Sequence, residues 1–270
     1  MKVSHPYHLV NPSPWPIIAS FSLLALAAGF IMFMHKILAW EIVLPLGVIA
    51  VSACLFMWWR DVVFEGRNDQ SHTAMVRQGL RIGMAIFILT EIMFFFGFFW
   101  SFFDTRLFPN GILDGVWVVK NGVWPPEGIT TFNPWELPLL NTIILLLSGT
   151  TVTWAHYSLK ENNKEELVRA LKYTIFLGIS FTMLQAYEYH HATFAFSDGI
   201  YASNFYMTTG FHGAHVIIGT IFLIVCYFRA KLSHFDTKFG HLGFEFAAWY
   251  WHFVDVVWVF LFIFVYVLGK

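Results

Sequence analysis

Seven apolar runs, each close to 20 residues long, constrain the fold of this chain more than any other feature. A helix of about 20 mainly apolar residues crosses a hydrocarbon layer of about 30 Å. The sequence therefore predicts an all-α integral membrane protein, with residues 1–270 forming a single domain of seven transmembrane helices. The predicted spans are approximately 16–34, 42–59, 82–103, 137–159, 173–191, 205–228 and 246–268.

The composition agrees with a membrane protein and argues against two other classes. Charged residues make up 12% of the chain and the mean hydropathy is +0.61, whereas a soluble domain has about 25% charged residues. A net charge of −1 provides no basic surface for phosphates, so no nucleic-acid partner is expected. Cys54 and Cys226 lie far apart within apolar runs and are predicted to be buried hydrophobic residues, not a disulfide framework.

The distribution of positive charge predicts the orientation. Twelve of the sixteen lysines and arginines fall in the N-terminal segment and in the loops after the second, fourth and sixth spans. Positive charge in short loops favours the cytoplasmic or matrix side, so the N-terminus is expected inside and the C-terminus outside. The longest outer loop, 104–136, contains Asn121-Gly122, which is compatible with either a β-hairpin turn or an irregular loop.

Small residues recur along two of the spans and predict close packing between helices. Gly83, Thr90 and Gly97 follow one another at seven-residue intervals in the third span. The sixth span carries a similar set close to one side, formed by Gly210, Ala214 and Gly219.

One acid lies near the middle of the third span, in the stretch "LTEIMFFFGFFW". The nearest positive residues to Glu91 are Arg81 and Arg106. Because an ionised acid at this depth costs roughly 2.5–3.5 kcal/mol, we expect Glu91 to be a neutral, proton-linked carboxyl. It could donate a hydrogen bond to a backbone carbonyl or to a histidine on a neighbouring helix. Two interpretations stay open, a group that handles protons and a hydrogen bond that fixes helix packing. No partner base is recognised for it in the chain, and no catalytic residue is predicted.

Four further polar residues lie inside the last two spans, in two pairs with i, i+3 spacing. His212 and His215 project from one side of the sixth span, and His252 and Asp255 from one side of the seventh. Together they could ligate a metal ion. The alternative is intramembrane polar packing through hydrogen bonds, which we favour. No HExxH, paired CxxC or glycine-rich phosphate loop occurs in the chain, and no metal site is predicted.

A second polar group lies at the inner membrane edge. It comprises basic, acidic and aromatic residues that suit lipid head groups, although they could also serve only to set the topology. Its members are Trp59, Arg60, Glu65, His72, Arg81 and Arg229.

With these residues identified, the chain resembles subunit III of cytochrome c oxidase, in the aa3-type branch of the haem–copper oxidase superfamily. The resemblance covers all seven spans and rests on long, ordered motifs. They include "WWRDVVFEG", "GMAIFILTEIMFFFGFFW", "VWPPEGI", "LPLLNTIILLLSG", "FYMTTGFHGAHVIIGTIFLIVC" and "GFEFAAWYWHFVDVVWVFLF".

The resemblance implies a non-catalytic role within a respiratory-chain complex that couples oxygen reduction to proton pumping. It implies helices 1–2 and helices 3–7 in two bundles, with structural phospholipids in a V-shaped cleft. The main partner would be subunit I, together with subunit II and accessory subunits; haem a, haem a3 and copper would lie in those partners. The six inner-edge residues would contact lipid. Glu91 matches the family's glutamate associated with proton uptake and active-site lifetime.

Two alternatives from other functional classes remain at this stage. One is a seven-helix transporter or proton channel that relays protons through Glu91, His212, His215 and Asp255. The other is a membrane metalloenzyme with metal at His212 and His215. No targeting segment is recognised at the N-terminus, so the expected location is either the mitochondrial inner membrane or a bacterial plasma membrane.

Overall fold

Seven long helices form the architecture of the computed structural model, which describes residues 12–67, 72–109, 123–235 and 241–270. No strand occurs in these ranges, and all seven helices are long and apolar enough to cross a membrane. The prediction of an all-α, seven-span membrane protein is therefore confirmed. Asn121-Gly122 lies outside the described residues. The helices are α1 (Trp15–Met34), α2 (Trp40–Arg67), α3 (Ala74–Leu107), α4 (Leu137–Lys160), α5 (Lys164–His190), α6 (Ile200–Lys231) and α7 (Leu242–Leu261), followed by a π-helical segment (Phe262–Val267).

Several helices extend beyond the apolar runs that predict them. The largest difference is at α5, which begins at Lys164 and not near residue 173. The Asn163 side chain accepts a hydrogen bond from the Glu166 backbone N–H at 3.2 Å, which caps the helix. Acidic side chains in the first turn also favour a helix N-terminus. Hydropathy cannot detect such polar turns, because they lie outside the apolar stretch.

The chain divides into two compact units, Met1–Leu80 and Arg81–Lys270. The boundary falls inside α3. The first unit contains α1 and α2, and the second contains most of α3 with α4 to α7. A lipid-filled cleft between two bundles stays a prediction.

In the first unit, α1 and α2 pack along a seam that repeats every seven residues. A Cβ atom on Gly29 would lie 2.6 Å from the Leu44 Cα, and one on Gly47 would lie 2.7 Å from the Leu26 Cα. Only glycine allows the two backbones to approach so closely. At the end of the seam the Trp15 indole donates to Asp61 at 2.7 Å. The seam comprises Trp15, Ser22 and Gly29 on α1 and Gly47, Cys54 and Asp61 on α2.

In the second unit, α7 is the most enclosed helix, with 56% of its span buried, against 6% for α3. Two of its indoles reach α4 through buried hydrogen bonds. Trp251 donates to the Ser148 hydroxyl and Trp258 to the Thr142 hydroxyl, both at 2.9 Å. These bonds satisfy polar atoms that the hydrocarbon cannot, and they fix α7 against α4.

The two predicted small-residue seams have different outcomes. On α6, Gly219 lies against the Trp251 ring, which confirms close packing at that position. On α3, Cβ atoms at Gly83 and Gly97 would meet no atom of the described residues within 4 Å. The predicted α3 seam is therefore not formed within the described part of the chain.

Candidate functional site

The acid in the middle of α3 is bonded to a histidine on α6. Glu91 Oε2 lies 2.8 Å from His215 Nε2, and the two side chains are 22% and 10% exposed. The other imidazole nitrogen, His215 Nδ1, lies 2.6 Å from the backbone carbonyl oxygen of Phe211, one turn earlier on α6. The imidazole is thus held at both nitrogens.

These contacts determine where protons can reside. A carbonyl oxygen only accepts hydrogen bonds, so His215 Nδ1 carries a proton and donates it to Phe211. In a neutral imidazole Nε2 is then an acceptor, and Glu91 must supply the proton between them. In the alternative, a carboxylate accepts from an imidazolium. In both arrangements one proton lies between Oε2 and Nε2, and the pair has no net charge.

Aromatic rings surround the His215 imidazole. The ring centroid of Phe95 lies 5.0 Å away, and Tyr250 stacks on the imidazole at 6.3 Å. Phe94 and Phe253 approach from other directions, each with its centroid at 6.1 Å. A low-polarity shell strengthens the hydrogen bond and disfavours any state of the pair with net charge.

Sequence reasoning identified both members of this pair but did not join them. A histidine on another helix was one of the two expected hydrogen-bond partners of Glu91, and this hydrogen bond is confirmed. The expectation that no partner base exists in the chain is wrong. The base lies 124 residues further along the sequence, and only the packing of α3 beside α6 brings it close.

The second histidine of α6 is directed elsewhere. His212 Nε2 lies 3.1 Å from the Val254 carbonyl oxygen of α7, and its ring packs against Phe181 and Trp258. His212 therefore contacts α7 and His215 contacts α3, so the two imidazoles do not face a shared ligand position. Within the described ranges no group of three or more His, Cys, Asp or Glu side chains is arranged to hold a metal ion.

The polar pair of α7 lies against α4. His252 Nδ1 is 3.6 Å from Asp255 Oδ2, and His252 Nε2 is 3.3 Å from the Thr153 hydroxyl. Of the two alternatives from the sequence, the hydrogen bond to a neighbouring helix is formed, whereas the contact within one turn is slightly longer than a hydrogen bond. Gly149 makes space for the acid, since a Cβ atom there would overlap Asp255 Oδ2.

Four of the six inner-edge residues lie in the first unit. Trp59 is 64% exposed. Arg60 pairs with the adjacent Asp61 at 3.2 Å, and that carboxylate also accepts from Trp15. The His72 imidazole lies beside Gly66, where a Cβ atom would approach it to 2.8 Å. Glu65 lies on α2, one turn beyond Asp61.

The other two inner-edge residues, in the second unit, contact protein groups. Arg81 forms a two-pronged salt bridge with Glu245 of α7, with N–O distances of 2.9–3.2 Å. The Arg229 guanidinium lies 4.7 Å from the centroid of the Phe235 ring. Neither Glu245 nor Asp61 was predicted as a partner from the sequence.

A buried hydrogen-bond network lies near the C-terminal end of α5. Its contacts were not predicted from the sequence. Glu188, 1% exposed, accepts hydrogen bonds at Oε1 from the Tyr266 hydroxyl at 2.6 Å and from Gln185 Nε2 at 3.2 Å. Asn141 Nδ2 lies 3.5 Å from Oε1 of the Gln185 side chain. The network joins α4, α5 and the π-helical segment.

Comparison with known proteins gives matches over almost the whole chain. The family model described as cytochrome c oxidase subunit III matches residues 5–270. A relative named "Probable cytochrome c oxidase subunit 3" from Rickettsia bellii is 66% identical over 268 residues, which cover 99% of this chain and 97% of that protein. "Cytochrome c oxidase subunit 3" from Prototheca wickerhamii is 52% identical over 265 residues, 98% of each chain. The protein of the same name from Rattus norvegicus is 51% identical over 267 residues, 99% of this chain and 98% of the rat chain. With its seven membrane-spanning helices, this chain belongs to the cytochrome c oxidase subunit III family.

Proposed function

We propose that this chain is a non-catalytic core subunit of its oxidase, packing mainly on subunit I. Subunit II and accessory subunits would complete the complex, and haem a, haem a3 and copper would be bound by the partner chains. The near-complete coverage of relatives named as oxidase subunits supports this assignment. By the distribution of positive charge, its N-terminus lies in the matrix or cytoplasm and its C-terminus outside.

The Glu91–His215 pair supports a role in proton uptake and in the lifetime of the active site. The observation that carries this role is the 2.8 Å contact between Glu91 Oε2 and His215 Nε2, beside the hydrogen bond of His215 Nδ1 to Phe211. A proton can move between oxygen and nitrogen with no change in the net charge of the pair. Such a group can hold a proton at mid-membrane depth without the cost of an isolated ion.

The inner-edge residues of the first unit support a role in phospholipid binding. Trp59 exposes an amphipathic ring, and Arg60 and Asp61 lie within one turn of it. Arginine forks and tryptophan rings both suit the head-group level of a bilayer. In the second unit Arg81 already has a carboxylate partner, so its contribution to lipid binding would be the smaller.

A transmembrane proton channel is the second candidate, and the positions of its relay residues disfavour it. Glu91, His212, His215 and Asp255 all lie near the middle of their helices. They form a layer at one depth, whereas conduction across the membrane requires groups at successive depths. Purification tests this, since a subunit co-elutes with chains that carry haem a and copper, and a channel is active alone.

The role of Glu91 is tested by Glu91→Gln in the purified oxidase. The amide keeps the size and hydrogen-bonding capacity of the carboxyl but cannot exchange a proton. We expect normal assembly and a normal initial rate of cytochrome c oxidation, with several-fold fewer turnovers before inactivation. Glu165→Gln, at an exposed position in the first turn of α5, is the matched control.

Two results would contradict the proposal. An unchanged turnover lifetime of the Glu91→Gln enzyme would rule out the proposed role of Glu91 in proton uptake. A variant that fails to assemble would make Glu91 a packing residue.

A further inference from the structure

We propose that His252 and Asp255 form a second proton-holding pair, which exchanges its proton with the membrane edge at which α7 begins. The pair lies between α4 and α7 and shares no residue with the Glu91–His215 pair. It goes beyond the role proposed for Glu91, because it assigns proton binding to a separate pair on α7.

The orientation of the His252 imidazole follows from its neighbour on α4. The Thr153 hydroxyl donates its only proton to the Gly149 carbonyl at 2.9 Å. Its oxygen therefore accepts from His252 Nε2, which lies 3.3 Å away. In a neutral imidazole this leaves a lone pair on Nδ1, which faces Asp255 Oδ2 at 3.6 Å. The two atoms are just beyond hydrogen-bond distance, and two facing lone pairs repel. A proton held by the carboxyl or by the imidazole removes that repulsion.

The surroundings of Asp255 make this proton necessary. Its side chain is only 8% exposed. Its other oxygen, Oδ1, is buried and has no hydrogen-bond partner among the described residues. An ionised carboxylate in such a position is costly without a compensating charge, and the His252 imidazole lies 3.6 Å from it. The missing side chain of Gly149 provides the space in which the carboxyl fits.

The His252 imidazole also provides a route by which the proton can leave the pair. The His252 side chain is 46% exposed, in contrast to the enclosed acid beneath it. One turn from Thr153 on α4, the His156 ring packs against Phe244 near the start of α7, with ring centroids 5.9 Å apart. Titratable groups thus follow the α4/α7 face from the edge to the middle of the membrane. In order of depth they are Lys160, His241 and Glu245 at the edge, then His156, His252 and Asp255.

Infrared spectroscopy of the assembled oxidase, with ¹³C-labelled aspartate carboxyls, tests the pair. The Asp255 signal is assigned by its loss in Asp255→Asn, and its proton exchange is followed after transfer to D₂O. His252→Gln keeps a donor for Thr153 but cannot accept a proton. We expect this variant to turn Asp255 into an isolated protonated acid, with a shifted carbonyl band and exchange slowed about tenfold.

A glutamate-labelled preparation supplies the reference. Glu188 is also buried but its described partners are Tyr266 and Gln185, not a histidine. Its exchange should be slow in the parent enzyme and unchanged in His252→Gln. Identical Asp255 bands and exchange rates in parent and variant would overturn the pair. Where His252→Gln does not assemble, Thr153→Val provides the same test, because it removes the acceptor that orients the imidazole.

The route to the edge is tested by His156→Phe. We expect slower exchange at Asp255 with an unshifted carbonyl band, since the pair itself is intact. An unchanged rate would overturn the route. Both measurements are independent of turnover lifetime, so this proposal and the role of Glu91 can fail separately.

Discussion

Single residues determine how polar groups are tolerated at mid-membrane depth in this protein. Glu91 and Asp255 each face an imidazole whose second nitrogen is engaged, by the Phe211 carbonyl in one case and by the Thr153 hydroxyl in the other. In both pairs this oxygen accepts a hydrogen bond from one imidazole nitrogen, so that the other nitrogen faces the acid. Sequence reasoning predicted that these residues interact with something polar, but not the tautomer, which depends on contacts between helices.

At the residue scale, Gly149→Ala should destabilise the second unit. The added Cβ atom would overlap Asp255 Oδ2, so the carboxyl or the helix must shift. We expect a loss of about 1–3 kcal/mol, as for other overpacked interiors, measured as a lower temperature of dissociation of the complex. Gly213→Ala is the matched control, because a Cβ atom at Gly213 meets no described atom within 4 Å. Equal effects of the two substitutions would contradict the prediction.

The buried network of α5 gives a second prediction at this scale. Tyr266→Phe removes the hydroxyl that donates to Glu188 at 2.6 Å and leaves an enclosed acceptor with one partner fewer. The expected cost is about 1–3 kcal/mol, visible as a lower dissociation temperature. Tyr157→Phe, at a side chain that is 63% exposed, should have no measurable effect. A Tyr266→Phe oxidase as stable as the parent would show that the hydrogen bond contributes nothing.

At the scale of elements, the α1/α2 hairpin depends on two glycines that let the helices touch. Gly29→Val would force the backbones of α1 and α2 apart, because even a Cβ atom would lie 2.6 Å from the Leu44 Cα. We expect a loss of about 1–3 kcal/mol and a smaller yield of the assembled complex. Ala28→Val, at the exposed neighbouring position, is the control. A normal yield for Gly29→Val would refute the close packing of this seam.

The elements also show what could be predicted from the sequence. The seven helices were predicted correctly because the hydrocarbon layer requires length and low polarity, which any window along the chain detects. The start of α5 at Lys164 was missed because its first turns are charged and stabilised by the Asn163 cap. The α1/α2 seam was missed because its register is defined only once two helices are paired. Small residues on α3 predicted a seam that the described residues do not form, since spacing alone does not identify a partner.

At the scale of the whole molecule, the orientation in the membrane is the main untested prediction. Asn162→Cys in the α4–α5 loop should react with a membrane-impermeant thiol reagent only from the matrix or cytoplasmic side. Asp198→Cys, between α5 and α6, should react only from the other side. Cys54 and Cys226 are buried, so we expect them not to react with the thiol reagent. Reaction of both introduced cysteines from one side would contradict the predicted topology.

The position of α7 in the chain has a consequence for biosynthesis. This helix has the largest buried share of its span, and its indoles hold α4 through Ser148 and Thr142. It also follows α4, α5 and α6 in the chain, so it leaves the ribosome after them. During translation α4, α5 and α6 are therefore in the bilayer with the hydroxyls of Ser148 and Thr142 lacking their final donors. The second unit can close only after α7 has been synthesised, which makes the nascent chain a client for insertion factors until α7 has entered the bilayer.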